Sequence, residues 1–369
     1  MHLTVRPVVR SLSLFSFAFL LCLAFSSESV ARAATINVAA GQTAVAADGQ
    51  CSLREAIINA NNDAQTHADC PSGSGADTIT LPAGTYTTDQ GFSDEDFSAE
   101  GDLDIRSNIT INGAGAGTTI IEAASTPGAA SDRVLHVVSG TVVLNDLTVR
   151  NGKAPDGADA QSDCTDSGCH DSNGAPGGSG GGILNAGTLT LNRVTMTANR
   201  AGKGGKAGDV SCVGSEEELH STNCSTSGGK GGGGGAVYSS GALTVNSGTF
   251  TNNHSGEGGA AGLTSCSGGA SCSSRLGNKG DGGALFGGTL NVTESTFSGN
   301  AAYDGGAIQQ NDAPVNISNS SFAGNTAEWT GGAMNCNSGA ITCDISGSTF
   351  SGNNATGGYG GALAFFNGG

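Results

Sequence analysis

The chain has 369 residues, a formal net charge of −17 and only 15 Lys and Arg in all, while Gly accounts for 63 positions. This acidic balance argues against nucleic acid or an anionic membrane as a partner. It fits a soluble export product, a cell-surface coat or a protein that holds Ca²⁺.

Residues 1–33 have the features of a secretory signal peptide. Arg6 and Arg10 form a basic start, an apolar run follows, and Ala31-Arg32-Ala33 is a small-x-small cleavage site. Without this segment the chain keeps 12 basic and 31 acidic residues, a net charge of −19. We therefore expect an exported protein, secreted or on the cell surface, with no membrane insertion beyond the signal peptide.

Residues 34–76 predict an N-terminal cap. Ser52 and Glu55 form a capping box at the start of a helix predicted over 52–61, and Leu53 and Ile57 lie on one face of that helix. A β-helix has an open apolar end, which a short amphipathic helix of this kind can cover.

From residue 77 to 369 the sequence predicts stacked coils. The clearest units begin at Gly282 and close on Phe297, Phe322 and Phe350. Within them apolar residues alternate with polar ones, which is the period of a strand with one buried face. The matching columns are Leu290, Val315, Cys343; Val292, Ile317, Ile345; and Leu285, Ile308, Met334, Leu363. The prediction is an all-β fold, a right-handed parallel β-helix solenoid with a short N-terminal capping helix.

Two further features follow from the repeat. The closing asparagines Asn300, Asn325 and Asn353 form a column that we interpret as structural, since an amide can bond the next amide in a stack or adopt the left-handed region. The last residues stop in mid-coil without a polar cap, so we expect the chain to be a fragment of a longer protein that carries the C-terminal cap.

The chain also resembles a known family. CSLREAIINAN at 51–61 resembles the CSLREA domain of bacterial secreted right-handed β-helix proteins, and GDLDI at 101–105, NITINGAGAGTTIIEA at 108–123 and LTVRNG at 147–152 follow the order of that family. The GGA and F-x-x-N units resemble the polymorphic outer-membrane protein repeat. The resemblance covers essentially all of the mature chain. It implies a pectin-lyase-like fold and a surface or secreted location, without one established activity.

Three insertions rich in Gly and Ser interrupt successive coils at about 153–180, 201–233 and 254–281. Each follows the same point of its coil, so stacking places the insertions side by side on one edge. Insertions on one face of a solenoid often form its binding face. The alternative is flexible, glycine-rich decoration.

The ten cysteines of the mature chain fall in close sequential pairs, which in an exported protein predicts disulfides. The pairs are Cys51/Cys70, Cys164/Cys169, Cys212/Cys224, Cys266/Cys272 and Cys336/Cys343. No Cys-x-x-Cys occurs and His is scarce, which disfavours zinc at these cysteines. Cys343 occupies a position that is Leu or Val in other coils, so it is expected to point inward.

Two acidic groups are candidate sites. Asp94, Asp96, Asp102 and Asp104 lie in one acidic stretch, which is either a solvated loop or a Ca²⁺ site; calcium is the one cofactor that the sequence suggests. Asp281 and Asp304 each precede a glycine pair on adjacent coils. They are either solvated turn residues or a carboxylate pair of the kind that a glycoside hydrolase uses.

No Lys or Arg is expected in register with Asp281 and Asp304, and His170, His220 and His254 are interpreted as surface residues. Fold analogy alone supplies no activity. We therefore expect adhesion or carbohydrate contact through the stacked loops, with a polysaccharide or cell-surface ligand as partner. The alternative is a polysaccharide lyase or glycoside hydrolase that uses Asp281 and Asp304.

Overall fold

The computed structural model describes residues 32–88, 95–161, 164–165, 168–169, 172–213, 223–267, 271–311, 313–337 and 342–366. The expected signal peptide lies almost wholly outside these residues. Asp94, His170 and His220 also lie outside them, as do the side chains of Cys164, Cys169 and Cys212.

The chain from residue 32 forms a parallel β-helix in which every strand of the three long sheets pairs in parallel with the strand one coil away. This confirms the predicted fold class. The first sheet has nine strands in stacking order: Thr35–Asn37, Asp77–Leu81, Ile109–Gly113, Thr141–Asn145, Thr188–Asn192, Ala242–Asn246, Leu290–Thr293, Val315–Ser318 and Cys343–Ser346.

The second and third sheets have eight strands each. The second sheet contains Leu103–Ile105, Leu135–Val137, Ile183–Asn185, Val237–Ser239, Leu285–Phe286, Ile308–Asn311, Met334–Asn337 and Leu363–Phe366. The third contains Gly84–Thr87, Thr119–Glu122, Thr148–Arg150, Thr195–Thr197, Thr249–Thr251, Thr296–Ser298, Ser321–Ala323 and Thr349–Ser351. A short fourth sheet is formed by Ala301–Asp304, Thr326–Thr330 and Asn354–Ala355.

Columns of apolar side chains fill the bore, as the alternating pattern predicts. Leu290, Val315 and Cys343 are partners in register across three coils. The rings of Phe250, Phe297, Phe322 and Phe350 stack with centroids 4.7, 4.8 and 4.8 Å apart and nearly parallel planes. Cys343 packs against the core, as expected from its position.

A buried asparagine ladder runs beside the phenylalanine stack. Asn253 Nδ2 donates to Asn300 Oδ1 at 3.0 Å, and Asn300 Nδ2 donates to Asn325 Oδ1 at 2.9 Å. Each amide nitrogen also donates to a backbone carbonyl, in the case of Asn300 to that of Phe250 at 3.0 Å. The structural interpretation of this column is confirmed. The left-handed residue at this turn, however, is the one before the ladder asparagine, such as Gly299 at φ 63°.

The helix Leu53–Asn61 packs against the N-terminal end of the stack, next to Leu103–Ile105. Its N-cap is Ser52, and the predicted capping box with Glu55 is present. Leu53, Ala56, Ile57 and Ala60 are buried in the same core as the strands. Asn61 Nδ2 donates to the carbonyl oxygen of Asp104 at 2.7 Å, which fixes the helix to the first strand of the second sheet.

Candidate functional site

The three insertions leave the β-helix at one corner, as predicted. Lys153, Arg200 and His254 bridge in parallel from coil to coil at this corner. Each insertion runs outward, turns and comes back. We call 154–161, 201–209 and 255–263 the outgoing arms, and 172–181, 226–235 and 274–282 the return arms.

Hydrogen bonds between the arms repeat every three residues. Gly157 N and Ala160 N donate to the carbonyls of Lys203 and Lys206, at 2.7 and 2.9 Å, between parallel outgoing arms. Between antiparallel arms, Gly202 N donates to Gly178 O and Gly205 N donates to Ala175 O, both at 2.8 Å. Three residues per turn is the repeat of an extended polyproline II-type helix. The arms are thus a hydrogen-bonded array, and the alternative of flexible decoration is wrong for the described arms.

Glycine is required inside this array because the backbones approach closely. A Cβ added to Gly205 would lie 1.9 Å from the carbonyl oxygen of Ala158, and one added to Gly232 would lie 1.8 Å from that of Gly178. Every third residue instead points outward and can be large. In the middle outgoing arm these outward residues are Lys203, Lys206 and Asp209, with Gly or Ala at the other positions. Two small residues followed by one polar residue form a repeat that is visible in the sequence, but the coil pattern alone did not predict its structural role.

Asp281 and Asp304 stand in register on adjacent coils, as predicted. Gly282 N donates to the carbonyl of Asp304, and Gly305 N donates to that of Thr330, both at 2.9 Å. The Asp304 carboxylate accepts hydrogen bonds from the Thr330 backbone and hydroxyl at 2.9 and 2.5 Å. The turn aspartates are therefore tied into the edge of the coil, beside the last return arm.

A lysine contacts this pair, although it does not belong to the coil register that relates the two aspartates. Lys230 Nζ lies 2.6 Å from Asp281 Oδ2. Lys230 is an outward residue of the middle return arm. The packing of the arms brings it into contact with Asp281, which lies 51 residues later in the sequence, on the next return arm. This contact depends on the register of the arms, which the coil repeat alone does not predict.

The surroundings of Asp281 favour a perturbed carboxyl group. Burial raises the pKa of Asp281, the adjacent Lys230 ammonium lowers it and the charge of Asp304 raises it again, with an upward shift as the result. Asp281 Oδ1 is buried and has no hydrogen-bond donor within the part of the chain that the structure describes. A lysine, a buried carboxyl and a second carboxylate on one edge are groups that can donate or accept a proton.

A cavity of about 280 Å³ lies next to this edge. Four polar side chains and two aromatic ones line it; the residues are Asp304, Trp329, Thr330, Asn335, Asn337 and Phe366. An aromatic face beside amide and carboxylate groups is suited to a ligand with both apolar and hydroxyl-bearing surfaces.

The acidic stretch 95–104 is folded around a buried guanidinium. Arg54 Nη1 donates to the carbonyls of Ser98 and Asp102 at 2.9 and 3.0 Å, and Nη2 donates to that of Gly101 at 2.6 Å. The Glu95 carboxylate accepts the backbone N–H of Phe97 at 2.7 Å. The backbone of this loop is therefore held by Arg54, while the side chains of Asp96 and Glu100 are exposed and those of Asp102 and Asp104 are buried.

Of the predicted calcium ligands that the structure describes, Asp96 and Asp104 lie together, whereas Asp102 is not part of their group. Asp94 lies outside the described residues. Asp102 forms an ion pair with Arg133. The Arg133 Nη1 atom is 3.2 Å from Asp102 Oδ2 and 3.9 Å from Asp132 Oδ1. Burial and the neighbouring Asp132 raise the pKa of Asp102 to about 7, because one guanidinium does not offset desolvation and a second carboxylate.

Asp96 and Asp104 both contact His136, which was not predicted from the sequence as a site residue. His136 Nδ1 lies 3.3 Å from Asp96 Oδ1 and 3.3 Å from Asp104 Oδ1. Asp104 and His136 are register partners, because Leu103–Ile105 pairs with Leu135–Val137. The shared pattern apolar-polar-apolar in LDI and LHV is the sequence signal that aligns them.

The cysteine pairs are found where the structure describes them. Disulfides join Cys51 to Cys70, Cys266 to Cys272 and Cys336 to Cys343. Cys224 is also disulfide-bonded. His254 is half-buried at the corner of the arms, rather than a free surface residue, and burial together with Arg200 and Lys279 lowers its pKa to about 4.

Within the described residues, no helix is long and apolar enough to cross a membrane. No protein-family model matches the sequence, and neither a curated protein nor a solved structure is matched by it.

Proposed function

We propose that this protein is an exported β-helix binding protein that contacts polysaccharide or a cell-surface glycan along the return arms and the adjoining turn edge. The disulfides support export, since such bonds persist in oxidising compartments. The resemblance to secreted CSLREA-domain β-helix proteins belongs to this proposal and agrees with it.

The observation that carries the proposal is the hydrogen-bonded array of arms. Outward side chains along one arm are separated by three residues, or about 9 Å, at the polyproline II rise. Ser227 and Lys230 exemplify this spacing on the middle return arm. Because the backbone is fixed by neighbours on both sides, little ordering entropy remains to be lost when a long polymer binds.

The chemistry of this edge favours a neutral or weakly charged ligand that carries hydroxyl groups. Lys230 is already paired with Asp281, so the edge is not a polycationic surface. Trp329 offers an exposed aromatic face at the cavity, beside Asn335 and Asp304. Stacking on an aromatic ring combined with amide and carboxylate hydrogen bonds is how a sugar ring can be held.

The outer side of the outgoing arms is the less suitable surface. Its cavity, of about 200 Å³, is lined mainly by charged residues, of which Lys153 and Asp156 form an ion pair at 2.8 Å. It contains no aromatic side chain among its lining residues. This side therefore provides a matched control for binding experiments.

The test is binding of the mature protein to a panel of soluble and insoluble polysaccharides. We expect Trp329→Ala and Lys230→Met to weaken binding at least tenfold, whereas Lys203→Met, on the outer side of the outgoing arms, leaves it unchanged. Binding that is lost in Lys203→Met but kept in the other two variants would contradict the proposed surface. Absence of binding to every polysaccharide would contradict the glycan ligand.

Lys230 beside Asp281 gives one specific observation in favour of a second function, a polysaccharide lyase or glycoside hydrolase. A lysine next to a carboxyl of raised pKa is a proton-transfer pair, and Asp304 stands in register with it. The same panel, with and without Ca²⁺, is assayed for new reducing ends and for unsaturated products. Activity that disappears in Asp281→Asn and Asp304→Asn would establish the enzyme, and an absence of products with retained binding would rule it out.

A further inference from the structure

The cluster of Asp96, Asp104 and His136 has a geometry that would suit the ligands of a single cation. One ring nitrogen and two carboxylate oxygens all lie within 4.8 Å of one another. The nitrogen is 3.3 Å from each oxygen. Two donor atoms held about 2.1 Å from a tetrahedral zinc are about 3.4 Å apart, so the observed contacts match the edges of a zinc coordination sphere.

Asp104 provides the independent observation that a cation belongs here. Its side chain has no solvent exposure, and its Oδ1 has no hydrogen-bond donor among the described residues. The other oxygen, Oδ2, accepts the backbone N–H of Ser98 at 2.8 Å. That bond fixes the carboxylate so that Oδ1 points towards His136 and Asp96. A buried carboxylate oxygen without a donor carries a large desolvation cost unless a cation meets it.

An ion pair between a protonated His136 and the two aspartates is the alternative. A single Nδ1–H would have to serve two oxygens at 3.3 Å each, and it does not reach hydrogen-bond geometry with Asp104 Oδ1. A cation placed between the three atoms satisfies all of them at once. The geometry therefore favours a metal over a shared proton.

The surrounding structure holds the ligands in place before any metal arrives. Asp104 and His136 project from neighbouring strands of the second sheet, whose backbone pairing fixes their separation. Asp96 belongs to the loop whose carbonyls Arg54 binds from the capping helix. Preorganised ligands on regular elements are the condition for a specific metal site.

We propose that Asp96, Asp104 and His136 bind one Zn²⁺ or a similar first-row divalent cation, with water completing the coordination sphere. The imidazole decides the class of metal. Calcium is bound by six to eight oxygens, whereas imidazole suits zinc and its neighbours in the first transition row. The acidic stretch is thus assigned to a different cation from the one that its carboxylates alone suggest. Bound there, the metal joins the acidic loop to the strand Leu135–Val137.

The test uses the full mature chain, stripped with a chelator and titrated calorimetrically with ZnCl₂ and, separately, CaCl₂. We expect one Zn²⁺ to bind per chain, with far weaker binding of Ca²⁺, and Co²⁺ to give the visible absorption of a site with nitrogen and oxygen ligands. Loss of a ligand costs more than loss of an outer-shell partner, so His136→Gln and Asp104→Asn should each weaken Zn²⁺ binding by at least about 100-fold.

Asp96→Asn distinguishes the loss of a metal ligand from a failure to fold. The Asp96 side chain is 58% exposed, so its replacement leaves the fold intact while removing one ligand. Asp344→Asn, on an exposed strand position of the first sheet, is the control and should bind zinc as the parent does. Zinc should also raise the melting temperature of the parent and of Asp344→Asn, but not of His136→Gln. No zinc binding, or unchanged binding in His136→Gln and Asp96→Asn, would overturn the proposal; Ca²⁺ binding as tight as Zn²⁺ binding would overturn its metal class.

Discussion

The guanidinium of Arg54 donates a 2.6 Å hydrogen bond to the carbonyl oxygen of Gly101. Arg54 is only 1% exposed, and it also binds the carbonyls of Ser98, Glu100 and Asp102. One side chain of the capping helix therefore organises a loop more than 40 residues away. The loop in turn presents Asp96 and Asp104 to His136, so the cap and the proposed metal site are a single structural unit.

Arg54→Lys should strongly destabilise the N-terminal coils. A lysine keeps the charge but cannot reproduce the planar donor fork, so several buried carbonyls lose their partners. We expect the free energy of unfolding to fall by about 3 kcal/mol, since hydrogen bonds from charged donors contribute about 1.5–3 kcal/mol each. Urea denaturation measures the loss. Arg193→Lys, in the exposed pair with Asp146, should lose only a small fraction of it. Equal losses in both variants would contradict the role assigned to Arg54.

Gly205→Ala tests whether the arms need glycine for space. The added Cβ would lie 1.9 Å from the Ala158 carbonyl oxygen, so the two arms must separate. We expect a destabilisation of about 2 kcal/mol, typical of overpacking, with faster amide exchange in the arms and unchanged exchange in the β-helix coils. Gly117→Ala, where a Cβ meets nothing within 4 Å, is the control. Unaltered exchange in the Gly205 variant would mean that the arms are not close-packed.

Phe322→Ala tests the stacked core. The ring lies between those of Phe297 and Phe350, with centroids 4.8 Å away on each side, and it is fully buried. Truncation leaves a cavity that the fixed backbone cannot close, so we expect a loss of about 3–5 kcal/mol in thermal or chemical unfolding. Leu276→Ala, on an exposed return-arm residue, should be close to neutral. A loss of less than about 1 kcal/mol in Phe322→Ala would contradict this packing.

Asn300→Asp tests whether the amide hydrogen bonds of the asparagine ladder, and not burial of the side chain alone, stabilise the fold. The replacement has nearly the same shape, but it removes the Nδ2 donor to Asn325 Oδ1 and to the Phe250 carbonyl and brings a charge into the core. We expect a loss of at least about 3 kcal/mol at neutral pH, because two buried acceptors lose their donor. Asn316→Asp, which disrupts an exposed amide pair with Asn291, is the matched control. Circular dichroism melts of the two variants should differ clearly, and overlapping melts would contradict the ladder's role.

Alternation of apolar and polar residues was sufficient to predict the coils, because each inward position is decided by burial alone. Leu290, Val315 and Cys343 fall in register as that rule requires. The arms obey a different rule. Their interior consists of backbone packed on backbone, so no apolar residue marks it, and only the three-residue recurrence of Gly and Ala beside Lys203 and Lys206 carries the information. Neither the period of 2 of a β-strand nor the period of 3.6 of an α-helix describes this three-residue recurrence.

The candidate sites were less predictable for a geometric reason. Asp281 and Asp304 are related by the coil repeat, and the sequence predicts their register. Lys230 reaches Asp281 only through the pairing of the return arms, which the coil repeat does not contain. His136 lies beside Asp104 because the strands Leu103–Ile105 and Leu135–Val137 pair in register. Two strands of three residues do not define their register by sequence alone, because it also depends on the length of the turns between them.

The corner where the arms begin should make the stability of the protein depend on pH. Burial, followed by the positive charges of Arg200 and Lys279, lowers the pKa of His254 to about 4 in the folded protein, against a model-peptide value near 6.5. Between these values the unfolded chain binds the proton and the folded chain does not. The contribution of His254 to stability is therefore fully present above about pH 6.5 and is lost as the pH falls towards 4.

His254→Gln should consequently flatten the fall in unfolding free energy between pH 6.5 and 4, relative to the parent, when urea denaturation is repeated across that range. Nuclear magnetic resonance titration of the His254 ring measures its pKa directly. In Arg200→Gln, removal of one of the two nearby cations should raise that pKa without restoring the model-peptide value, because burial is the larger cause. A His254 pKa at or above 6.5 in the parent would contradict its half-buried position among the arms, and with it the local packing that starts the array.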